Sequence, residues 1–267
     1  MSNSQNSLKG KLFTVIEEET ENYARRSEVS TQWRQPLMAA ASAQDDYFPR
    51  LKEVVIEDHM LPRDLLAGAE TVICYFLPFA AEIPASNIGG DLPSRAWAQA
   101  CSETNSLIGH LNEKLKQEIE ARGGRANFAA ATGNFYRAEL VSSWSHKHAA
   151  FIAGLGTFGR HHMLITESGC AGRIGSLVTD LKMKVDSRPE SEFCLDRAGK
   201  ECRECVENCE FSALTAEGLN KEACYQVLKN NADYFNSDEL KSCGKCAVNL
   251  PCTLTSPGKE MSGGGIG

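Results

Sequence analysis

CLDRAGKECRECVENC (Cys194–Cys209) and CGKCAVNLPC (Cys243–Cys252) decide how this chain is read. With Cys224 between them they hold eight of its eleven cysteines: Cys194, Cys202, Cys205, Cys209, Cys224, Cys243, Cys246 and Cys252. The first group reads C-x7-C-x2-C-x3-C and the last C-x2-C-x5-C. Thiolates are the soft ligands that iron–sulfur clusters take, and a cubane cluster takes four. Eight is the number that two [4Fe-4S] clusters need. In two-cluster ferredoxins the fourth Cys of a motif ligates the other cluster. Applied here, Cys194, Cys202, Cys205 and Cys252 hold one cluster, and Cys209, Cys224, Cys243 and Cys246 hold the second.

Three plainer readings compete. Disulfides need an oxidising compartment, and paired C-x2-C spacings without a secretory signal point to metal instead. Zinc bound by Cys202, Cys205, Cys243 and Cys246 leaves the other four thiols unexplained. Inert buried thiols do not account for regular spacing. Cys74, Cys101 and Cys170 sit among apolar or small residues and are read as non-ligands. The Pro that commonly follows such motifs is absent, with Glu210 after Cys209 and Thr253 after Cys252.

Working outward, 267 residues suffice for one large core and a small appended module. A net charge of −7 gives no electrostatic reason to bind nucleic acid. Met1–Gly10 carries neither an apolar core nor twin arginines, and no apolar run approaches membrane-spanning length, so a cytoplasmic location is expected. The spacing predicts helices over Lys11–Arg26 and Trp97–Arg122, the latter ended by Gly123-Gly124, and a short one running toward His59. Thr71–Leu77 (TVICYFL) predicts a strand buried on both faces, and Ala81–Pro93 a loop. Long helices beside buried strands give an α/β layered class.

A second informative stretch runs from Ala138 to Asp180. Ser142 or Ser143 can cap a helix through Trp144–Ala153, followed by A-G-L-G-T-F-G (Ala153–Gly159) and a strand at Met163–Thr166. The run satisfies G-x-G-x-x-G, but its order is helix, glycines, strand, opposite to that of a dinucleotide site. Gly154, Gly156 and Gly159 exceed what a simple turn needs, and they offer close backbone approach to a flat ligand.

The run WSHKHAAFIAGLGTFG (Trp144–Gly159), then LIT (Leu164–Thr166), with the Cys module after it, resembles epoxyqueuosine reductases and their short relatives. The resemblance spans about Trp33 to Cys252 and extends more distantly to reductive dehalogenases. It implies a nitroreductase-like corrinoid-binding domain (1–185) and a ferredoxin-like two-cluster domain (186–255), an α/β (α+β) arrangement overall, while the composition of the glycine-rich end leads to the expectation of a disordered tail (256–267). It implies a cobamide beside the two [4Fe-4S] clusters. Carried over residue by residue, it points to Gly154, Leu155, Gly156, Thr157, Gly159, Leu164, Ile165 and Thr166 as corrinoid contacts, with Trp144 and His146 beside them. Leu140 stands where the family carries its Asp proton donor, and Arg160-His161-His162 replaces the usual Lys-Asn.

Candidate replacements for that donor are Tyr136 beside Arg137, then Glu139, with His146 and His148 as further options. A His–metal site from His146, His148, His161 and His162 is disfavoured, because positions i and i+2 do not share a helix face. The expected function is a cobamide-binding iron–sulfur oxidoreductase. It would accept electrons from a donor such as ferredoxin or flavodoxin and act on a small molecule or a corrinoid-protein partner, with nucleic acid and membrane not expected. The alternatives are a corrinoid reductase activating a partner enzyme, epoxyqueuosine reduction with a relocated donor, and a flavin in the cofactor pocket.

Overall fold

The structure, a computed structural model, describes residues 7–130, 135–136 and 138–262. Its organising strand is β2 (Thr71–Pro78), every residue of which is buried. It pairs with β1 (Leu37–Ser42) on one side and β8 (Gly172–Thr179) on the other, and a short β3 (Ala126–Asn127) completes the order β1-β2-β8-β3. Every pairing is antiparallel, with Cys74 opposite Ala39 and Ser176. The layers are therefore those of an α+β fold.

Side chains alternate across a strand, so β2 needs cover on both sides to be apolar throughout. On one face Ile73, Tyr75 and Leu77 meet Leu12 and Ile16 of α1 (Leu8–Ala24) and Leu107, Leu111 and Leu115 of α5 (Arg95–Glu120). On the other, Val72 and Cys74 meet Phe48 and Leu51 of α2 (Tyr47–Val54), Trp144, and Ala149 and Ile152 of α6 (His146–Ile152). Each fully buried aliphatic side chain contributes about 1.5–3 kcal/mol. The helix ends follow local chemistry. Ser7 and Ser94 accept from the amides of Gly10 and Trp97, and α5 stops where Gly123 turns left-handed at φ 77°. Between β2 and α5, the stretch expected to be loop contains the short α4 (Glu82–Ser86). A single-turn α3 (Pro62–Leu65) precedes β2.

After α5 come a small hairpin, β4 (Phe135–Tyr136) and β5 (Val141–Ser142), then α6, and then a second hairpin, β6 (Gly156–Phe158) and β7 (Leu164–Thr166). The cysteine-rich part carries α7 (Glu204–Glu207), α8 (Lys221–Phe235) and a 3-10 turn at Lys245–Ala247. It shares a core with the sheet part: Phe79, Trp97, Ile165 and Cys170 pack with Phe193, Ala247 and Val248. Polar ties reinforce this seam. Buried Lys245 donates Nζ to the carbonyls of Asn87 and Gly89, and Asn87 Nδ2 donates to the Cys243 carbonyl at 2.9 Å. The tail expectation is corrected in part. Pro257–Ser262 forms α9, anchored by Gly258 N–H on the Phe193 carbonyl at 3.0 Å, while 263–267 lie outside the described residues. No helix among the described residues is long and apolar enough to cross a membrane.

Candidate metal centre

Cys252 lies far along the chain from Cys194, and backbone pairing returns it. Cys170 N–H donates to the Cys252 carbonyl at 2.9 Å, and Ala171 N–H to that of Thr253 at 3.1 Å. Arg34 fixes the same corner, donating to the carbonyls of Phe79, Ser168 and Leu254 at 3.0, 2.6 and 3.2 Å. The result is a small cavity lined by Cys194, Cys202, Cys205 and Cys252, with Arg160 and His161 at its wall. Cys205 rides on α7, and Cys202 lies two residues before that helix. The second set is assembled by the first turn of α8, which carries Cys224, and by the turn through Cys243 and Cys246, where Gly244 adopts φ 76° under the Trp97 ring.

Electrostatics separate the same two quartets. Burial first, then the nearby charges of Cys252, Cys194 and Cys202, push the Cys205 thiol up to about 12. Burial first, then Cys243, Cys224 and Cys209, push Cys246 up to about 12. Burial also raises Cys202, Cys224 and Cys243, each opposed further by members of its own quartet. Cys246 also feels Cys205, so the two nests adjoin. Thiols crowded in this way resist ionising together unless a cation or cluster core lies between them. Cys252 is the exception. A hydrogen bond from Cys170, and then one from His161, draw it down to about 5 against the effect of burial. Cys209 Sγ accepts the Leu214 amide at 3.3 Å, as a thiolate ligand does. Both quartets fit a four-thiolate cluster by donor set and grouping.

The glycine bend fits its expected ligand less well. A Cβ on Gly154, which has φ 90°, would collide with the Ser187 backbone. One on Gly156 would collide with the Ile165 carbonyl across the β6–β7 pair, and one on Gly159 with the His161 ring. The close approach is therefore chain on chain. Leu155, Thr157, Leu164, Ile165 and Thr166 are buried by the protein itself. Thr157 Oγ1 accepts from Phe193 N–H at 2.8 Å, and Thr166 Oγ1 donates to the Gly169 carbonyl at 2.9 Å. Of the eight carried-over positions, Gly154 and Leu155 alone line the large cavity of about 1370 Å³, which lies between α1, β1 and residues 182–191. The other six positions do not line that cavity, and their close packing is against the chain itself.

Trp144 and His146 both hydrogen-bond to Ser176. Trp144 is buried, stacks on Phe48 with centroids 6.1 Å apart, and donates Nε1–H to Ser176 Oγ at 3.0 Å. Indole can only donate, which leaves the Ser176 proton for Nδ1 of His146 at 2.7 Å. Burial lowers His146 to about 4. Burial, then Lys147 and His59, lower His148 to about 4, and its Nδ1 meets Ser145 Oγ at 2.7 Å. Both rings are neutral at pH 7, so neither serves as a cationic acid. They turn to different partners, as their i, i+2 spacing implies.

Tyr136 sits 40% exposed on β4, Glu139 is exposed in the following turn, and Arg137 lies outside the described residues. His59, which carries no motif, is buried. It donates Nδ1–H to the Met60 carbonyl at 2.7 Å and accepts Ser145 N–H on Nε2 at 3.1 Å, holding the start of α6. Sequence offers no signal for it beyond a His in an ordinary context.

No protein-family model matches the chain, and no curated protein does. Solved structures do. An epoxyqueuosine reductase with an epoxyqueuosine-modified tRNA-Tyr stem loop superposes with TM-score 0.59 at 19% identity, covering 90% of this chain and 66% of that one. The epoxyqueuosine reductases of Bacillus subtilis and Streptococcus thermophilus give 0.58 at 18% and 0.55 at 15%, again over 90% of this chain and 66% and 67% of theirs. A catabolic reductive dehalogenase overlaps at TM-score 0.46, too loosely to carry an argument. This chain thus spans about two thirds of the length of the epoxyqueuosine reductases it matches, and across nine tenths of its own length it is built on their fold.

Proposed function

We propose that the chain is an iron–sulfur oxidoreductase of the corrinoid-linked reductase type, with two [4Fe-4S] clusters relaying single electrons. One observation carries this reading: Cys194, Cys202, Cys205 and Cys252 line a single cavity, and Cys209, Cys224 and Cys243 gather within charge range of Cys246 beside it. Cys194, Cys202, Cys205 and Cys252 would hold one cluster, and Cys209, Cys224, Cys243 and Cys246 the other. When bound, such clusters supply one-electron chemistry at a potential set by charge, burial and hydrogen bonds to sulfur. The chain's own part is to hold and shield them. Phe193, Ala247 and Val248 exclude water from the side facing the sheet, while Cys202 lies half-buried between exposed Glu201 and Arg203, a route for electrons from a donor such as ferredoxin or flavodoxin. A corrinoid is the acceptor class that the fold suggests. Gly154 and Leu155, which line the large cavity, are the members of the bend that could face it.

The test is anaerobic reconstitution with iron and sulfide, followed by addition of cobalamin or a flavin. About eight irons per chain are expected, together with a cobalamin spectrum that changes on binding. Retention of flavin and not cobalamin would overturn the corrinoid-linked part alone.

A second reading, reduction of an epoxide on RNA, draws support from one local feature. Burial and then the charges of Lys147, Arg197 and Lys221 lower His162, which places three cationic side chains around it on a chain of net charge −7. Restoration of queuosine by this gene in a strain lacking it would favour that reading.

A further inference from the structure

Three residues outside the expected ligand set converge on one ligand. His161 and Cys170 place Nε2 and Sγ with Cys252 Sγ so that all three atoms lie within 4.8 Å of one another. His161 is buried, with Nε2 3.5 Å from Cys252 Sγ. Its other nitrogen, Nδ1, accepts the backbone N–H of Met163 at 3.1 Å. An amide can only donate, so Nδ1 carries no proton and Nε2 must carry it. The imidazole is thereby fixed as a donor to sulfur. The third residue is Gly159. A Cβ there would strike the imidazole at Cε1 and Nδ1, so the last glycine of the bend makes room for this ring. Cys170 also reaches the Ala247 carbonyl, at 3.8 Å, and its single proton is shared between two acceptors, which leaves His161 the better-fixed donor.

From this geometry we infer that His161 is a positioning residue that donates Nε2–H to the Cys252 thiolate and raises the reduction potential of the cluster held by Cys194, Cys202, Cys205 and Cys252, with Gly159 as the space that permits it. The inference rests on the cluster reading above. The physical basis is general: reduction adds negative charge to the cluster, and donors aimed at its sulfurs stabilise that charge. It also gives the bend a purpose other than ligand contact. Arg160 and His161, two of the residues that stand in place of the family's Lys-Asn, line the cavity of the nearer quartet.

The experiment is a potentiometric titration of the reconstituted protein, followed by electron paramagnetic resonance, with iron counted in every sample. His161→Phe keeps ring volume and removes the donor. It is expected to hold about eight irons and to shift one cluster toward the oxidised form by about tenfold, which is 59 mV for one electron. His161→Gln, which keeps an N–H, is expected to recover part of that shift. Gly159→Ala displaces the ring and is expected to lower the same potential, but to add nothing in the His161→Phe background. Full iron with both potentials unmoved would overturn the assignment of His161. Loss of iron in His161→Phe would also overturn it, by making His161 a ligand. Wild-type protein that takes up no iron would overturn the cluster reading itself, and the inference with it.

Discussion

The glycine bend and the cysteine nests both look from sequence like places waiting for a ligand, and they resolve in opposite ways. At the bend, the space beside Gly154, Gly156 and Gly159 is taken by Ser187, Ile165 and His161. At the nests, Cys194, Cys202, Cys205 and Cys252 line one cavity with Arg160 at its wall, and burial and the neighbouring thiols oppose the ionisation of Cys205 and Cys202. A glycine reports only that something comes close to its α-carbon, and the chain's own backbone satisfies that as well as a cofactor does. Four thiols in mutual range have no comparable packing explanation.

The largest expected effect that tests this contrast is loss of a nest. Cys246→Ser removes a ligand from the second quartet, and iron is expected to fall by about half, from about eight per chain, with the other cluster's resonance retained. Loss of all iron would mean that the two nests do not load separately.

At the bend the effect should be on folding. Gly156→Ala forces β6 away from the Ile165 carbonyl, at a cost of about 1–3 kcal/mol, read as a lower Tm. A ligand-contact role would instead leave Tm unchanged and weaken cofactor retention. Trp144→Phe should behave similarly, losing about 1–3 kcal/mol because Ser176 loses its indole donor inside the core. Unchanged stability with altered cofactor affinity would return Trp144 to the site.

The half-buried histidines of α6 make a pH-dependent contribution. His146 and His148 are held at about 4, below the unfolded value near 6.5. The unfolded chain therefore binds more protons between those values. Stability is full above about pH 6.5 and declines as pH falls toward 4, by at most about 1.4 kcal/mol per pH unit for each group. His146→Gln should flatten that slope in denaturant titrations, and an equally steep slope would contradict the assignment. The smallest effect is expected at Tyr136→Phe, on an exposed hairpin, where stability should change by less than about 0.5 kcal/mol.

What sequence disclosed here was whatever local chemistry determines. The ends of α5 were legible because Gly123-Gly124 lies just beyond a periodic apolar stripe. The buried β2 was legible because no other element has eight consecutive covered positions. The spacing of the cysteines suggested two groups of four, and one of those groups lines a single cavity. β1 was missed because Leu-Met-Ala-Ala-Ala-Ser lacks β-branched residues and becomes a strand only by pairing with β2. α8 was missed because its buried face is sparse, with Val227, Asn231 and Ala232 alone buried. His59, Arg34 and His161 act through partners distant in sequence or through ring orientation, and neither leaves a pattern in a single chain. What packs against the glycines was not legible for the same reason, since what faces an α-carbon is a tertiary fact.

The measurement that bears most directly on the whole reading is metal analysis of anaerobically reconstituted protein, joined to low-temperature electron paramagnetic resonance after reduction. Two loaded quartets should give about eight irons and eight sulfides, with two reduced-cluster signals split by their proximity. One zinc per chain, or iron without acid-labile sulfide and without such signals, would contradict it.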